Sequence, residues 1–288
     1  MSQFVLSCTT CATRAPGKDE ISECLLHAPR AGYRAWGIAG PLLWTRGLVR
    51  WADADLLRRS AVEAGLQTCT EVYGPPFPTD SVAAARQAAN DIALTFAFAA
   101  KVGSPLVVIT GGRRQPGGLE ATIAGIAELL PAIADRPVRL ALEPHYRSQI
   151  QGPEDYDAIL GAIASPQVGI TIDTGHFHSA SVDWKPFIRR YAGRIDNVHV
   201  KDHVGTQSVP LGRGEVDLHG YIQELHAIDY RGALAVELEV EDPQNLPRYC
   251  AEAYEYLSRL VQEVTGRPLP GDNETTERST IDQGGRRK

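Results

Sequence analysis

Apolar and polar positions along this chain follow one repeating order. A stretch with apolar residues at helical spacing ends near a glycine, proline or arginine. A short apolar run follows, and polar residues appear where that run stops. The runs are FVLSCTT (4–10), YRAWGIAG (33–40), LQTCTEVYG (66–74), SPLVVITGG (104–112), VRLALEPH (138–145), VGITIDTGH (168–176), RIDNVHVKDH (194–203) and ALAVELEVE (233–241), which makes eight candidate strands. Helices are expected over 18–31, 53–64, 79–103, 119–134, 154–164, 184–192, 218–228 and 245–264. The first carries Ile21, Leu25 and Ala28 at helical spacing, the second starts at a capping Asp53, and the alanine-rich third stops at Gly103. Short, mostly apolar strands alternating with helices indicate parallel βαβ units covered on both faces. Eight such units in roughly 265 residues predict an α/β chain folded as a single (β/α)8 TIM barrel. An open doubly wound sheet would usually carry a glycine fingerprint after its first strand, and CTTCATRAPG is not G-x-G-x-x-G. The barrel is expected to occupy residues 1–265, and the polar tail 266–288 is expected to be disordered.

Composition narrows the partners. With 288 residues, 43% of them hydrophobic, the chain can bury a large core. A net charge of −6 argues against a nucleic-acid footprint, which would be basic. No apolar run approaches the roughly 20 residues of a membrane span, and MSQFVLSCTTCATR lacks the basic-then-apolar order of a signal peptide. Five cysteines, an odd number in a long chain, suit a reducing compartment, so a cytoplasmic location is expected. A homo-oligomer or a partner subunit stays open.

Candidate chemistry lies at the ends of the runs. In a barrel the C-terminal ends of the strands share one mouth, so the residues there converge in space. They are Glu143 and His145 after the fifth run, Asp173 and His176 after the sixth, His199, Lys201, Asp202 and His203 after the seventh, and Glu237 on the eighth. Residues two apart share a strand face, which puts His199 and Lys201 above Asn197, and Glu237 above Ala233 and Ala235. A carboxylate at a strand end often merely caps the next helix. Glu143, Asp173, His199 and Glu237, on four successive strands, can instead enclose one divalent cation. Carboxylates plus one imidazole suit Mn²⁺ first, with Co²⁺, Mg²⁺ or Zn²⁺ as alternatives. His176 would then face whatever the metal binds.

These segments carry a family resemblance. LALEPH, IDTGHFH, NVHVKD, LGRGEVD (211–217) and AVELE resemble the corresponding segments of the xylose isomerase-like barrels, in particular the sugar phosphate isomerase/epimerase group. The resemblance covers roughly residues 4–262 in element order, with its specific motifs in 140–241. It implies Glu143, Asp173, His199 and Glu237 as metal ligands and His176 as a residue near substrate. Two segments depart from the family's pattern. Where members often carry a glutamate at the second strand's end, this chain reads RAWGIAG, and after the first strand it has CTTCATR in place of a histidine or aromatic.

The reading that follows is a metal-dependent isomerase or epimerase acting on a ketose or keto-polyol carbohydrate. Glu143 and Glu237 would serve as base and acid on an enediolate, and His145, His176 and Lys201 would contact substrate oxygens. A lyase eliminating a β-substituent from a keto-sugar, keto-inositol or keto-glycoside shares nearly all these residues. A DNA-repair barrel would need further histidines on early strands and a basic surface. A non-catalytic barrel subunit is the reading from another class. Elsewhere, Cys8 and Cys11 are expected to be packing residues, and GGRRQPGG (111–118) is weighed as an anion loop with Arg113 and Arg114. Phe77 is read as a lid or subunit contact, and His178 either reaches the mouth or caps a loop.

Overall fold

Each apolar run contributes a strand to one closed, parallel barrel in a computed structural model that describes residues 4–39, 49–50 and 52–269. The strands are β1 (Val5–Thr9), β2 (Ala35–Ile38), β3 (Thr68–Tyr73), β4 (Leu106–Thr110), β5 (Arg139–Glu143), β6 (Val168–Asp173), β7 (Ile195–Val200) and β10 (Ala233–Val236). A short antiparallel hairpin, β8 (Asp202–Val204) and β9 (Gln207–Val209), stands outside the barrel. Around the barrel the order is β1-β10-β7-β6-β5-β4-β3-β2, which closes because β2 also pairs with β1.

The helices start and stop where the sequence chemistry directs. Asp19, Asp53, Ser81 and Asp217 each accept a backbone N–H of the first turn, at 2.8, 2.9, 3.1 and 2.8 Å. Gly32 ends the helix Glu20–Ala31 at φ +112°, and a Cβ there would also lie 2.6 Å from the Tyr254 ring. The main core fills the layer between barrel and helices: Trp36, Phe77, Phe96, Phe98, Phe177 and Phe187 are all buried. Burying each such side chain contributes about 1.5–3 kcal/mol. Phe77 is therefore neither lid nor surface contact, because it packs where a Cβ on Gly125 would fall 2.3 Å from its ring. Leu106, Val108 and Ala141 form a second, smaller cluster against Tyr73.

Two features were absent from the sequence reading. The seventh run stops at Val200, and Asp202 starts the hairpin. The Asp202 carboxylate accepts from Gly212, Gly214 and Val216 N–H groups at 2.9, 2.8 and 3.2 Å, which folds LGRGEVD back over it. Gly214 is required at that spot, since a Cβ would meet Asp202 Oδ1 at 2.1 Å. The second feature is an irregularity between β2 and β3, where Trp36 pairs with Cys69 but Gly37 pairs with Glu71. Thr70 then reaches Ser7 Oγ at 2.8 Å, while Glu71 reaches β7. At the C-terminal end Leu269 is only 4% exposed, so packing runs past residue 265. Residues 270–288 of the expected disordered tail lie outside the described residues. Among the described residues no helix is long and apolar enough to cross a membrane.

Candidate metal centre

Four strand ends deliver four buried ligand groups to one point. Glu143, Asp173, His199 and Glu237 offer atoms that all lie within 4.8 Å of one another. His199 is the hub. Its Nδ1 lies 2.5 Å from Glu143 Oε1, 3.1 Å from Glu237 Oε2 and 3.9 Å from Asp173 Oδ2. Asp173 both caps a helix and faces the cluster. Its Oδ1 accepts the His176 N–H at 2.7 Å, starting the helix Thr174–Ser179, while Oδ2 turns toward the cluster.

Lys201 fills the space beside these groups. Its ammonium, 2% exposed, lies 3.3 Å from Asp173, 3.1 Å from Glu237 and 2.9 Å from Glu239. Burial alone would discharge it, but the three carboxylates outweigh burial and hold its pKa well above the ordinary value. His199 behaves likewise: burial opposes its charge, and Glu71, Glu143 and Glu237 together hold the imidazolium. Glu237 is kept ionised against burial by Lys201 and His199, which push its pKa well down. Glu143 goes the other way, raised by burial despite His199.

Charge and valence both favour a cation. Five carboxylates, Glu71, Glu143, Asp173, Glu237 and Glu239, face two cationic side chains, His199 and Lys201. Asp173 Oδ2 and Glu237 Oε2 are buried and make no well-formed hydrogen bond, although Lys201 is near both. Buried acceptors in that state are what a dication satisfies. The donor set of three carboxylates and one imidazole fits a hard or borderline divalent metal. The two glutamates near the end of β10 are distinct. Glu237 joins the cluster, while Glu239 lies outward, its side chain 43% exposed, and pairs with Lys201.

A histidine-lined cavity lies beside the cluster. The His145 and His176 rings lie with centroids 3.7 Å apart, tilted by 39°, and both line a cavity of about 390 Å³ with His203, Glu239 and Glu241. His176 is kept neutral, with its pKa well below the ordinary value through burial and the neighbouring Lys201 and His145 side chains. Its Nε2 lies 3.4 Å from Lys201 Nζ, and its buried Nδ1 has no hydrogen-bond partner. His203 Nδ1 meets Ser179 Oγ at 2.9 Å. Of the remaining candidates, Cys8 sits 3.4 Å from Cys250 as a packing thiol. Cys11 is more than packing: its Sγ lies 3.5 Å from Glu237 Oε1. His178 pairs with Glu215 at 3.3 Å. Arg114 ties its loop to Asp155, Ser148 and Gln149 instead of facing an anion.

Two groups touching the cluster, the half-buried Tyr73 and the buried Glu71, escaped the sequence reading. Tyr73 donates to Glu143 Oε2, occupying the oxygen that faces away from His199. Glu71 accepts from His199 Nε2 at 2.7 Å and Asn197 Nδ2 at 2.6 Å. A lone glutamate inside the apolar run LQTCTEVYG was the available signal, since an acid in a buried strand needs a partner.

Residues 26–260 match the family described as xylose isomerase-like TIM barrel, and the chain belongs to it. An inosose dehydratase from Glaesserella parasuis is 27% identical over 49% of this chain and 54% of its own length. The rhizopine catabolism protein MocC of Rhizobium meliloti is 28% identical over 47% and 48%. The chain thus spans about half the length of the curated relatives it matches. Among solved structures, a xylose isomerase domain protein from Alicyclobacillus acidocaldarius superposes with a TM-score of 0.73 at 16% identity, covering 91% of this chain and 99% of its own. The 3-keto-D-glucoside 4-epimerase YcjR from E. coli gives 0.70 at 18%, covering 90% and 99%. At those identities the likeness is one of fold.

Proposed function

We propose that the protein is a divalent-metal-dependent enzyme that enolises a keto-polyol carbohydrate, with Mn²⁺ the first candidate. The observation that carries this is the buried convergence of Glu143, Asp173, His199 and Glu237 beside a cavity lined by His145 and His176. When bound, the cation supplies Lewis-acid polarisation of the substrate carbonyl. Glu237 is held ionised and turns Oε1 toward Cys11, clear of His199 and Lys201, so it is the base that takes the proton beside the carbonyl. Lys201, charged, and His176, neutral, stand at the edge of the cluster to orient and protonate substrate oxygens.

Two outcomes share this first step. Elimination is the reading we place first. The C–H bond breaks to Glu237, the β C–O bond breaks, and the leaving hydroxyl departs as water with a proton from the Lys201–His176 side, leaving a C=C bond. One base and one acid suffice, and Tyr73 already occupies the outer oxygen of Glu143. The curated relatives named inosose dehydratase, at 24–27% identity over about half their length, support the same order. Epimerisation or isomerisation is the second reading, supported by the carboxylates of Glu143 and Glu237 arriving from separate strands. It requires Glu143 to exchange Tyr73 for a substrate proton.

The test is a panel of keto-inositols, keto-glycosides and ketoses incubated in D₂O with Mn²⁺-loaded protein. Loss of water with a new conjugated ultraviolet band supports elimination. Deuterium at the carbon beside the carbonyl in an isomeric product, without loss of water, supports epimerisation or isomerisation. Neither change with any member of the panel contradicts the enolisation reading.

A further inference from the structure

We propose that Glu71 is a positioning residue for the metal centre: it holds the His199 ring with Nε2–H on its carboxylate, so that Nδ1 is the atom offered to the cation. The proposal rests on the metal reading above but assigns a residue outside the four-group cluster, on a strand that contributes none of its members. Glu71 is fully buried on β3, across the barrel from β7. Its Oε2 accepts from both His199 Nε2 and Asn197 Nδ2, at 2.7 and 2.6 Å. Asn197 stands two residues before His199 on the same strand face, so a single oxygen ties two successive inward side chains of β7 together. A ring with one nitrogen fixed this way can offer only the other. Nδ1 is also the nitrogen that faces Glu143, Asp173 and Glu237. Outer carboxylates that accept the second N–H of a ligating histidine fix its tautomer and orientation and raise its basicity.

The neighbouring strand is shaped around this carboxylate. Gly37 on β2 pairs with Glu71, and a Cβ at residue 37 would lie 2.7 Å from both Glu71 Cγ and Oε1. The backbone at Gly37 does not itself demand glycine, because its φ is not in the left-handed range. The glycine is there for space. The segment RAWGIAG, which departs from the family's usual glutamate-bearing second strand, therefore accommodates an acid supplied by the third.

The test uses Zn²⁺ as a diamagnetic probe on the full-length protein. A long-range ¹H–¹⁵N spectrum of the zinc-loaded wild type should show His199 protonated at Nε2 and metal-bound at Nδ1. In a chelator competition, Glu71→Gln, which keeps an acceptor but not the charge, should weaken zinc binding about 10-fold. Glu71→Leu should weaken it about 100-fold. Gly37→Ala, which removes no polar group, should lower affinity by crowding Glu71. Zinc bound through Nε2 in the wild type overturns the proposal, whether or not the variants fold. So does unchanged affinity in folded Glu71→Gln and Glu71→Leu proteins. A wild type that binds no zinc overturns the metal reading as well, whereas zinc bound with the wrong nitrogen overturns this proposal alone.

Discussion

The two halves of the barrel handle charge differently. Strands β5, β6, β7 and β10 each bring an ionisable group to the mouth, and these groups meet in one cluster. Strands β1 to β4 bring cysteine, threonine and tyrosine there, and their one buried barrel-strand acid, Glu71, acts on His199 from the side opposite the cluster. On the proposed reading the contrast separates chemistry from support: one half would present the reactive groups, and the other would fix them. Tyr73 reaches Glu143 over the intervening β4, and Glu71 reaches His199 across the barrel, so both contacts come from β3. A site divided this way can change substrate through the mouth loops while its inner supports stay in place.

Removing groups from the reactive half should produce the largest effects. His176→Ala should retain metal and cut turnover by about 10²–10⁴-fold, the usual worth of a positioned acid or base. Steady-state rates measured beside metal content check this, and full activity would return His176 to a structural role. Lys201→Met comes next. Without its ammonium, Asp173, Glu237 and Glu239 lose their shared counter-charge. The metal-free protein should then lose about 3 kcal/mol, seen as a fall in Tm of roughly 6–12 °C. Saturating Mn²⁺ should restore more of that stability than it adds to the wild type, because a dication replaces the missing charge. Equal restoration in both proteins would count against the shared site. The smallest effect concerns pH. In the metal-free protein His199 is held charged by Glu71, Glu143 and Glu237 against burial, so its pKa lies well above the ordinary imidazole value. Cation binding at Nδ1 must expel that proton. Affinity should therefore rise about tenfold per pH unit from acid to neutral pH, flattening only above the raised pKa. Calorimetric titration across pH checks the slope, and a flat profile would place the cation elsewhere.

The split between halves also explains what was legible in the sequence. Strand ends can be read because an apolar run stops at a visible polar residue, and parallel topology then brings all such ends together. That logic located Glu143, Asp173, His199 and Glu237, and alternation put Glu237 on the face of Ala233 and Ala235. Glu237 and Glu239 both follow β10, yet Glu237 joins the cluster while Glu239 lies outward on Lys201. The supports were harder to see. Glu71 and Tyr73 act across the barrel interior, and no local pattern says which residue of a distant strand lies opposite. The β2–β3 irregularity that brings both Thr70 and Glu71 to buried polar partners depends on Gly37, whose role is to leave room. Arg113 and Arg114 looked like an anion loop because glycines surround them. Arg114 is instead drawn inward by Asp155, a partner 41 residues away that local sequence could not supply. Asp202 likewise looked like part of a reactive strand end and proved to be the anchor of LGRGEVD.

The central claim is that Glu143, Asp173, His199 and Glu237 hold a single divalent cation. Its most direct test is metal stoichiometry after reconstitution with Mn²⁺, compared among the wild type, Asp173→Asn and Glu239→Gln. The account predicts one bound ion per chain in the wild type and in Glu239→Gln, and little bound metal in a folded Asp173→Asn protein. Stoichiometric metal in Asp173→Asn with its loss in Glu239→Gln would contradict it.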